Sequence, residues 1–409
     1  MGYIIERKDS ARLKEGKNWI LVYGRRKVGK TFLLRELGKF KNYFMVKKNL
    51  EIISDNGNID IKTLIQNTKN LLLNNETLVI DEFQRLNESI LEELMLLHPK
   101  GRLILSGSSM KVVKNVFEPK SALLGFFTPI KIGFISPADM LLGIQKKMKS
   151  EQAIEVATFL REPWLIPIYN NEKIIDFVYK IINESKQIIS ALIGEIFTEE
   201  ERELTKRYET IISLIGSGIW NTKEITSIMY TRKLIPDPSP NHVIQYLKNL
   251  EEMELVESIK LHKTKGRFYR LFSPIMNIYY YLDDRYNISN RQVSLNEIEP
   301  TLQKLINFEI QNFIAELFAE IYNGKKEYFL DKNKEIDFII TERNKPKIVG
   351  EVKWKKLNRE DIEKFKDNSS NLFGKKVLIC KESKEEDKEV EIINSEEVIK
   401  LTNGARSIH

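Results

Sequence analysis

Cysteine is nearly absent: Cys380 is the only one in 409 residues. That excludes an intramolecular disulfide and fits a reducing compartment, so a cytoplasmic location is expected. Histidine is scarce as well. His98, His242, His262 and His409 are scattered along the chain, and with a single cysteine they exclude a structural zinc centre built on Cys/His spacing. No apolar run approaches the roughly 20 residues that a bilayer-crossing helix needs, so no membrane partner is expected. The stretch Met1–Ser10 is too polar to read as a secretory signal. Internal repeats and low-complexity segments are also missing.

What remains is an ordinary globular composition, 42% hydrophobic and 30% charged, in a chain long enough for about two to four domains. The formal net charge is +7, from 65 basic and 58 acidic residues. Its distribution says more than its size. Residues 1–48 hold 14 Lys/Arg against 4 Asp/Glu, which leaves 51 basic and 54 acidic residues for the rest. A basic excess confined to the N-terminal segment reads either as attraction for a polyanion, nucleotide or nucleic acid, or as a solvated Lys/Arg surface.

Short apolar strands alternate with amphipathic helices over residues 17–135. Strands are expected at Asn18–Tyr23, Tyr43–Val46, Thr77–Asp81, Arg102–Ser106 and Phe127–Ile132, and helices at Thr31–Phe40, Asp60–Leu73 and Asn87–Leu97. That order predicts an α/β fold with a parallel sheet covered on both faces. Residues from about 150 to 290 read as helical, with a hairpin formed by Leu255–Leu261 and Arg267–Leu271. Asn221 and Ser239-Pro240 mark helix starts before it. Three helices and a hairpin predict a winged helix-turn-helix, although Glu251, Glu252 and Glu254 make the helix before the hairpin acidic at its end. From about 300 the order helix, strand, strand, helix, strand predicts a second compact α/β unit. The expected division is 1–145, 146–203, 204–290 and 291–409.

The sharpest motif is Gly24-Arg25-Arg26-Lys27-Val28-Gly29-Lys30-Thr31, which fits G-x-x-x-x-G-K-[ST] at every position. Glycines let backbone N–H groups turn inward around phosphate oxygens, and the following helix points its positive end at the same place. Lys30 is placed to neutralise the β- and γ-phosphates of ATP, and Thr31 to offer its hydroxyl to magnesium. Leu78-Val-Ile-Asp81-Glu82 is the matching second motif: an apolar strand ending in two carboxylates at the edge of the sheet where ligands bind. Asp81 is read as a magnesium ligand and Glu82 as the base that polarises the attacking water. A third strand, Arg102 to Ser106, continues as Gly-Ser-Ser109. Ser106 is read as a γ-phosphate sensor or, equally, as a helix cap.

At "VYGRRKVGKTFLLREL", "LVIDEFQRL" and "LILSGSS" the chain resembles the archaeal ATPase family, STAND-like P-loop proteins. "YETIISLIGSG", "YLKNLEEMELVE" and "GRFYRLFSP" are similar to the winged-helix region of that family. "FEIQNFIAELF", "EIDFII" and "GEVKW" are similar to its C-terminal restriction-endonuclease-like domain. The resemblance spans nearly the whole chain. It implies ATP and magnesium as cofactors and a nucleic-acid-directed domain at the C-terminus. One segment departs from the pattern. Where the family commonly carries an arginine pair, this chain has Leu123-Leu-Gly125-Phe126-Phe127-Thr128, which implies slow hydrolysis.

Glu335-Ile-Asp337 and Glu351-Val-Lys353 flank a turn at Asn344-Lys345-Pro346. Glu351 and Lys353 share one face of their strand, and Asp337 on the partner strand can reach it. Two carboxylates and a lysine can hold magnesium and activate water against a phosphodiester. This is also the D…ExK pattern that the resemblance implies, and Glu309 matches the extra acidic position of the family. On this reading Glu309, Asp337 and Glu351 share one divalent cation. An exposed strand of alternating charges, or a nuclease fold that has lost its chemistry, reads the same. Three functions stay open: an ATP-driven switch acting on nucleic acid, an ATPase regulator that binds DNA or a protein partner and cuts nothing, and a small-molecule phosphotransferase. An oligomer is compatible with each.

Overall fold

The computed structural model of the protein describes residues 3–15, 18–108, 116–117, 121, 123–184, 186–200, 202–331 and 334–406. Ser109 and His409 lie outside them. The chain divides into two compact units. One is Glu6–Ile135 with Gly194–Glu203, and the other is Met1–Ile5, Ser136–Ile193 and Leu204–His409.

In the first unit, helix α1 (Lys8–Lys14) precedes β1 (Ile20–Tyr23), and the helical turn α2 (Lys30–Phe32) runs on as a wider π-type turn over Leu33–Leu37. Then come β2 (Asn42–Val46), β3 (Ile52–Ser54), β4 (Gly57–Ile59), α3 (Ile61–Leu73), β5 (Thr77–Asp81), α4 (Glu88–Met95), β6 (Arg102–Gly107) and β7 (Thr128–Lys131). The sheet order is β4-β3-β2-β5-β6-β1-β7. From β2 to β7 every pairing is parallel. Side chains alternate between two cores: Leu21, Leu78, Ile80, Leu103 and Leu105 on one face, and Ile20, Val22, Val79, Ile104 and Ile130 on the other. Burial on both faces is why these strands read as unbroken apolar runs. Asp60 and Asn87 cap α3 and α4 through their side chains.

Two features differ from the sequence reading. The helix expected to reach Phe40 stops at Gly38, and Lys39 takes a left-handed conformation with φ 53°, which ends a right-handed helix. The β3–β4 hairpin adds an antiparallel edge that the strand–helix alternation does not announce.

The second unit begins with α5 (Pro137–Ile144), α6 (Ser150–Leu160), α7 (Ile174–Glu184) and α8 (Lys186–Glu199), the last belonging to the first unit from Gly194 onward. Next are α9 (Lys206–Gly216), α10 (Thr222–Thr231) and α11 (Pro240–Glu252), and the hairpin β8 (Val256–Leu261) with β9 (Arg267–Leu271). After α12 (Pro274–Tyr286) and α13 (Leu295–Ile321) follow β10 (Lys325–Asp331), β11 (Lys334–Glu342), β12 (Lys345–Lys356), α14 (Arg359–Asn368), β13 (Lys375–Glu382), β14 (Glu391–Ile393) and α15 (Ser395–Arg406). The sheet order is β14-β13-β12-β11-β10-β8-β9. The hairpin therefore does more than follow three helices: β8 pairs in parallel with β10, Lys260 opposite Glu327 and Leu261 opposite Tyr328, and extends the C-terminal sheet. Helix α13 packs on β10, β11 and β12, while Phe365 and Ile362 of α14 close a core with Ile336, Ile339, Val349 and Leu378. Among the described residues no helix is long and apolar enough to cross a membrane.

Candidate nucleotide site and a second carboxylate site

Strand β1 delivers the chain to Gly24 at the carboxyl edge of the parallel sheet. Gly24 has φ 150°, and a Cβ there would stand 1.9 Å from the carbonyl oxygen of Ile132, so only glycine fits. Val28 is fully buried and anchors the loop from below. Arg7 supports the same point, donating to the carbonyl oxygens of Val28 at 2.9 Å and Gly133 at 3.0 Å. Gly29 (φ 88°) opens α2, and Lys27 between them is left-handed at φ 65°. Arg25 is buried, its guanidinium 4.8 Å from the centre of the Phe134 ring, and Arg26 pairs with Glu195 at 3.3 Å. The buried Lys30 ammonium donates to the carbonyls of Gly24 at 2.7 Å and Arg25 at 3.0 Å, which holds it across the mouth of the loop.

Three donors converge on Asp81, a fully buried carboxylate at the end of β5. The Thr31 hydroxyl donates to Oδ2 at 2.8 Å and the Tyr43 hydroxyl to the same oxygen at 2.6 Å, while the Glu82 backbone N–H donates to Oδ1 at 3.0 Å. Burial, with the Asp81 carboxylate beside it, raises the Tyr43 hydroxyl far above its usual range. Glu82 sits in a left-handed backbone conformation, φ 59°, which turns its side chain away from the strand line. It pairs with Arg85 at 2.8 Å and accepts from Gln84 at 3.0 Å. Ser106 pairs across the ladder with both Asp81 and Val22. Its hydroxyl is buried and has no hydrogen-bond partner among the described residues. Thr31 with Asp81 offers the hydroxyl–carboxylate pair that suits magnesium. Tyr43, Gln84 and Arg85 escaped the sequence reading. Gln84 and Arg85 lie two and three residues past Glu82 in the motif, whereas only strand pairing brings Tyr43 to Asp81.

The second site lies on β11 and β12. Phe338 pairs with Gly350, so the same register sets Asp337 opposite Glu351. Gly350 is needed there, because a Cβ would meet the Phe338 ring at 2.1 Å. Lys353 reaches Glu351 Oε1 at 2.6 Å, and Asp337 Oδ2 accepts the Val352 N–H at 2.7 Å. Glu351 is buried, and its Oε2 has no hydrogen-bond partner. Burial and the neighbouring Glu351 push Asp337 up to about 7, against the pull of the Val352 N–H and Lys353. For Lys353, burial lowers the ammonium, but its bond to Glu351 and the charges of Glu351 and Asp337 outweigh this and raise it. An orphan carboxylate oxygen beside a second, reluctantly ionised carboxylate suits a cation.

Glu309 does not complete the set expected of it. It is buried against the Arg270 guanidinium of β9 and accepts from Asn277 at 3.2 Å. Burial raises its carboxyl in spite of that partner. Gln311, two residues further along α13, donates to the Val352 carbonyl at 3.2 Å. Two residues of helix turn a side chain by about 200°, so the face that meets β12 is not the face of Glu309. Among the described residues no three or more His, Cys, Asp or Glu side chains gather as a metal site.

A glycine loop at the carboxyl edge of a parallel sheet, with a threonine hydroxyl on the carboxylate that ends the next strand but one, is the arrangement of a P-loop ATPase domain. Residues 16–132 match the family described as AAA domain. No curated protein matches the chain. Among solved structures the chain is similar to the Walker-type ATPase of Pyrococcus abyssi, at 15% identity over 68% of this chain and 96% of that one, with a TM-score of 0.46. It is also similar to the ORC2 protein of Aeropyrum pernix in its ADPNP–ADP complexes, at 13% identity over 76% and 97%, TM-score 0.42. A STAND protein with a tetratricopeptide repeat sensor from Pyrococcus horikoshii is a third, at 14% identity over 79% and 48%, TM-score 0.31.

Proposed function

We propose that the protein is an ATP-driven switch whose first unit binds and slowly hydrolyses ATP and whose second unit acts on nucleic acid. The observation that carries the first part is the 2.8 Å contact between Thr31 and Asp81 beside the Gly24–Lys30 loop. On this reading Lys30 leaves the loop carbonyls for the β- and γ-phosphates. Thr31 and Asp81 hold magnesium, which neutralises phosphate charge when bound. Ser106 donates to the γ-phosphate, and Glu82 accepts the proton of the attacking water. Arg85 and Gln84 hold Glu82 aside, so hydrolysis waits until Glu82 is released, which gives a slow basal rate. Glu82→Gln keeps size and hydrogen bonding but removes the base. ATP binding should persist while turnover falls about 10²-fold or more, and unchanged turnover would assign the water to another residue.

For the second unit, residues 204–290 are read as a winged helix and 291–409 as a restriction-endonuclease-like domain, with Asp337 and Glu351 as magnesium ligands and Lys353 beside the reacting phosphate. Magnesium-dependent nicking of plasmid DNA by the wild type, lost in Asp337→Ala, tests this. The second reading, a regulator that binds DNA or a protein and cuts nothing, is favoured by the engagement of Glu309 with Arg270. No cleavage under any divalent cation decides for it.

A further inference from the structure

Asp337, opposite Glu351, lines a shallow groove on the second sheet. Ile259 and Phe268 of the hairpin, Tyr328 of β10 and Glu335 and Asp337 of β11 lie along it, and Phe308 of α13 stands at its side. Two of its rings, Phe268 and Tyr328, are in contact, and Trp220 packs on Phe268 outside the lining. Trp220 and Phe268 have ring centres 5.5 Å apart, and Phe268 and Tyr328 are 5.2 Å apart. All three are only partly buried, and Phe308 is 40% exposed. Such rings beside a charged cluster offer faces to a flat partner.

The hairpin that carries Phe268 is basic. Lys263, Lys265 and Arg267 are exposed around its turn, while Lys260 is paired with Glu327 at 2.9 Å and Glu257 lies at the start of β8. A ligand that matches these features has flat faces for the rings and a row of negative charges for the turn. In a duplex the base faces are covered by one another, so rings in a groove can be used only by unstacked bases. We propose that this groove binds single-stranded nucleic acid, with bases against Tyr328 and Phe268, the backbone along the hairpin turn, and a phosphodiester carried toward Lys353. The inference rests on the reading of the second unit as acting on nucleic acid, and it adds the substrate class. The carboxylates of Asp337 and Glu351 repel phosphate, so binding tightens when a divalent cation is present.

The test uses the full chain and fluorescent 20-nucleotide oligomers of mixed sequence, DNA and RNA, single-stranded and duplex, with calcium as the cation and anisotropy as the readout. The expected result is at least about tenfold tighter binding of one of the single strands than of its duplex. Phe268→Ala and Tyr328→Leu should each remove about tenfold of that affinity. Lys265→Glu, on the exposed turn where folding is not at stake, should weaken it and flatten its salt dependence. Equal affinity for duplex and single strand, or unchanged binding by Lys265→Glu together with either aromatic variant, overturns the proposal. Single-strand binding without any cleavage by the wild type keeps the groove and removes the nuclease reading. Cleavage of duplex without single-strand preference removes the groove and keeps the nuclease.

Discussion

Asp81 and Glu351 are both buried carboxylates on strands, one in each unit, and their surroundings differ. Asp81 is fully buried yet receives three hydrogen bonds, from Thr31, Tyr43 and the Glu82 backbone. Glu351 gives one oxygen to Lys353 and leaves the other without a partner, opposite Asp337. Hydrogen bonds from three donors fix the orientation of the Asp81 carboxylate. A buried carboxylate with an orphan oxygen costs about 1–3 kcal/mol until a donor or cation reaches it. Glu309 marks the third possibility: a buried carboxylate whose cation is a protein guanidinium. The carboxylate of the first unit is thus saturated by protein donors, whereas Glu351 keeps one oxygen without a partner among the described residues.

The largest effect should separate Glu309 from Glu351. Arg270→Met strands Glu309 in the interior and should lower stability by about 3–5 kcal/mol in urea unfolding. Glu351→Gln keeps an amide oxygen for Lys353, which is itself partly exposed, and should cost far less without divalent cations. Equal losses would break the distinction. Next comes pH. Asp337, raised from its ordinary 3.8 to about 7, binds more protons folded than unfolded between these values. Its contribution is therefore full below about 4 and is lost as pH rises through 7. Asp337→Asn should remove that decline, so that the variant is more stable than the wild type at pH 8 and not at pH 4. Calcium should raise the wild-type melting temperature at pH 8 more than at pH 5.5, because below 7 the proton competes for Asp337. Thermal melts over pH 4–8 check both. The smallest effect concerns Tyr43. Tyr43→Phe leaves Asp81 its other two donors, and loss of one net hydrogen bond of about 1 kcal/mol should raise the magnesium concentration for half-maximal ATP binding about fivefold. A fall instead would make Tyr43 a competitor of the cation.

What could be read from the sequence follows contact distance along the chain. The loop Gly24–Thr31 and the strand end Asp81-Glu82 are contiguous motifs, and the apolar runs at β1, β5 and β6 announce a sheet buried on both faces. The hairpin of β11 and β12 is equally local, and its register places Asp337 opposite Glu351. The remainder depends on pairings that no local pattern encodes. Tyr43 meets Asp81 only because β2 lies beside β5. Arg270 meets Glu309 only because β8 and β9 join the sheet beside β10. The β3–β4 hairpin rests on three-residue strands, too short to carry a period.

Gly24–Thr31 with Asp81 is proposed to bind ATP with magnesium. Calorimetric titration of ATP into the full chain, with and without magnesium, tests it most directly when wild type and Lys30→Ala are measured side by side. The expected result is one magnesium-dependent site per chain in the wild type and no measurable tight binding in Lys30→Ala, where a cation and the loop geometry it holds are lost together. Wild-type affinity in Lys30→Ala would contradict it.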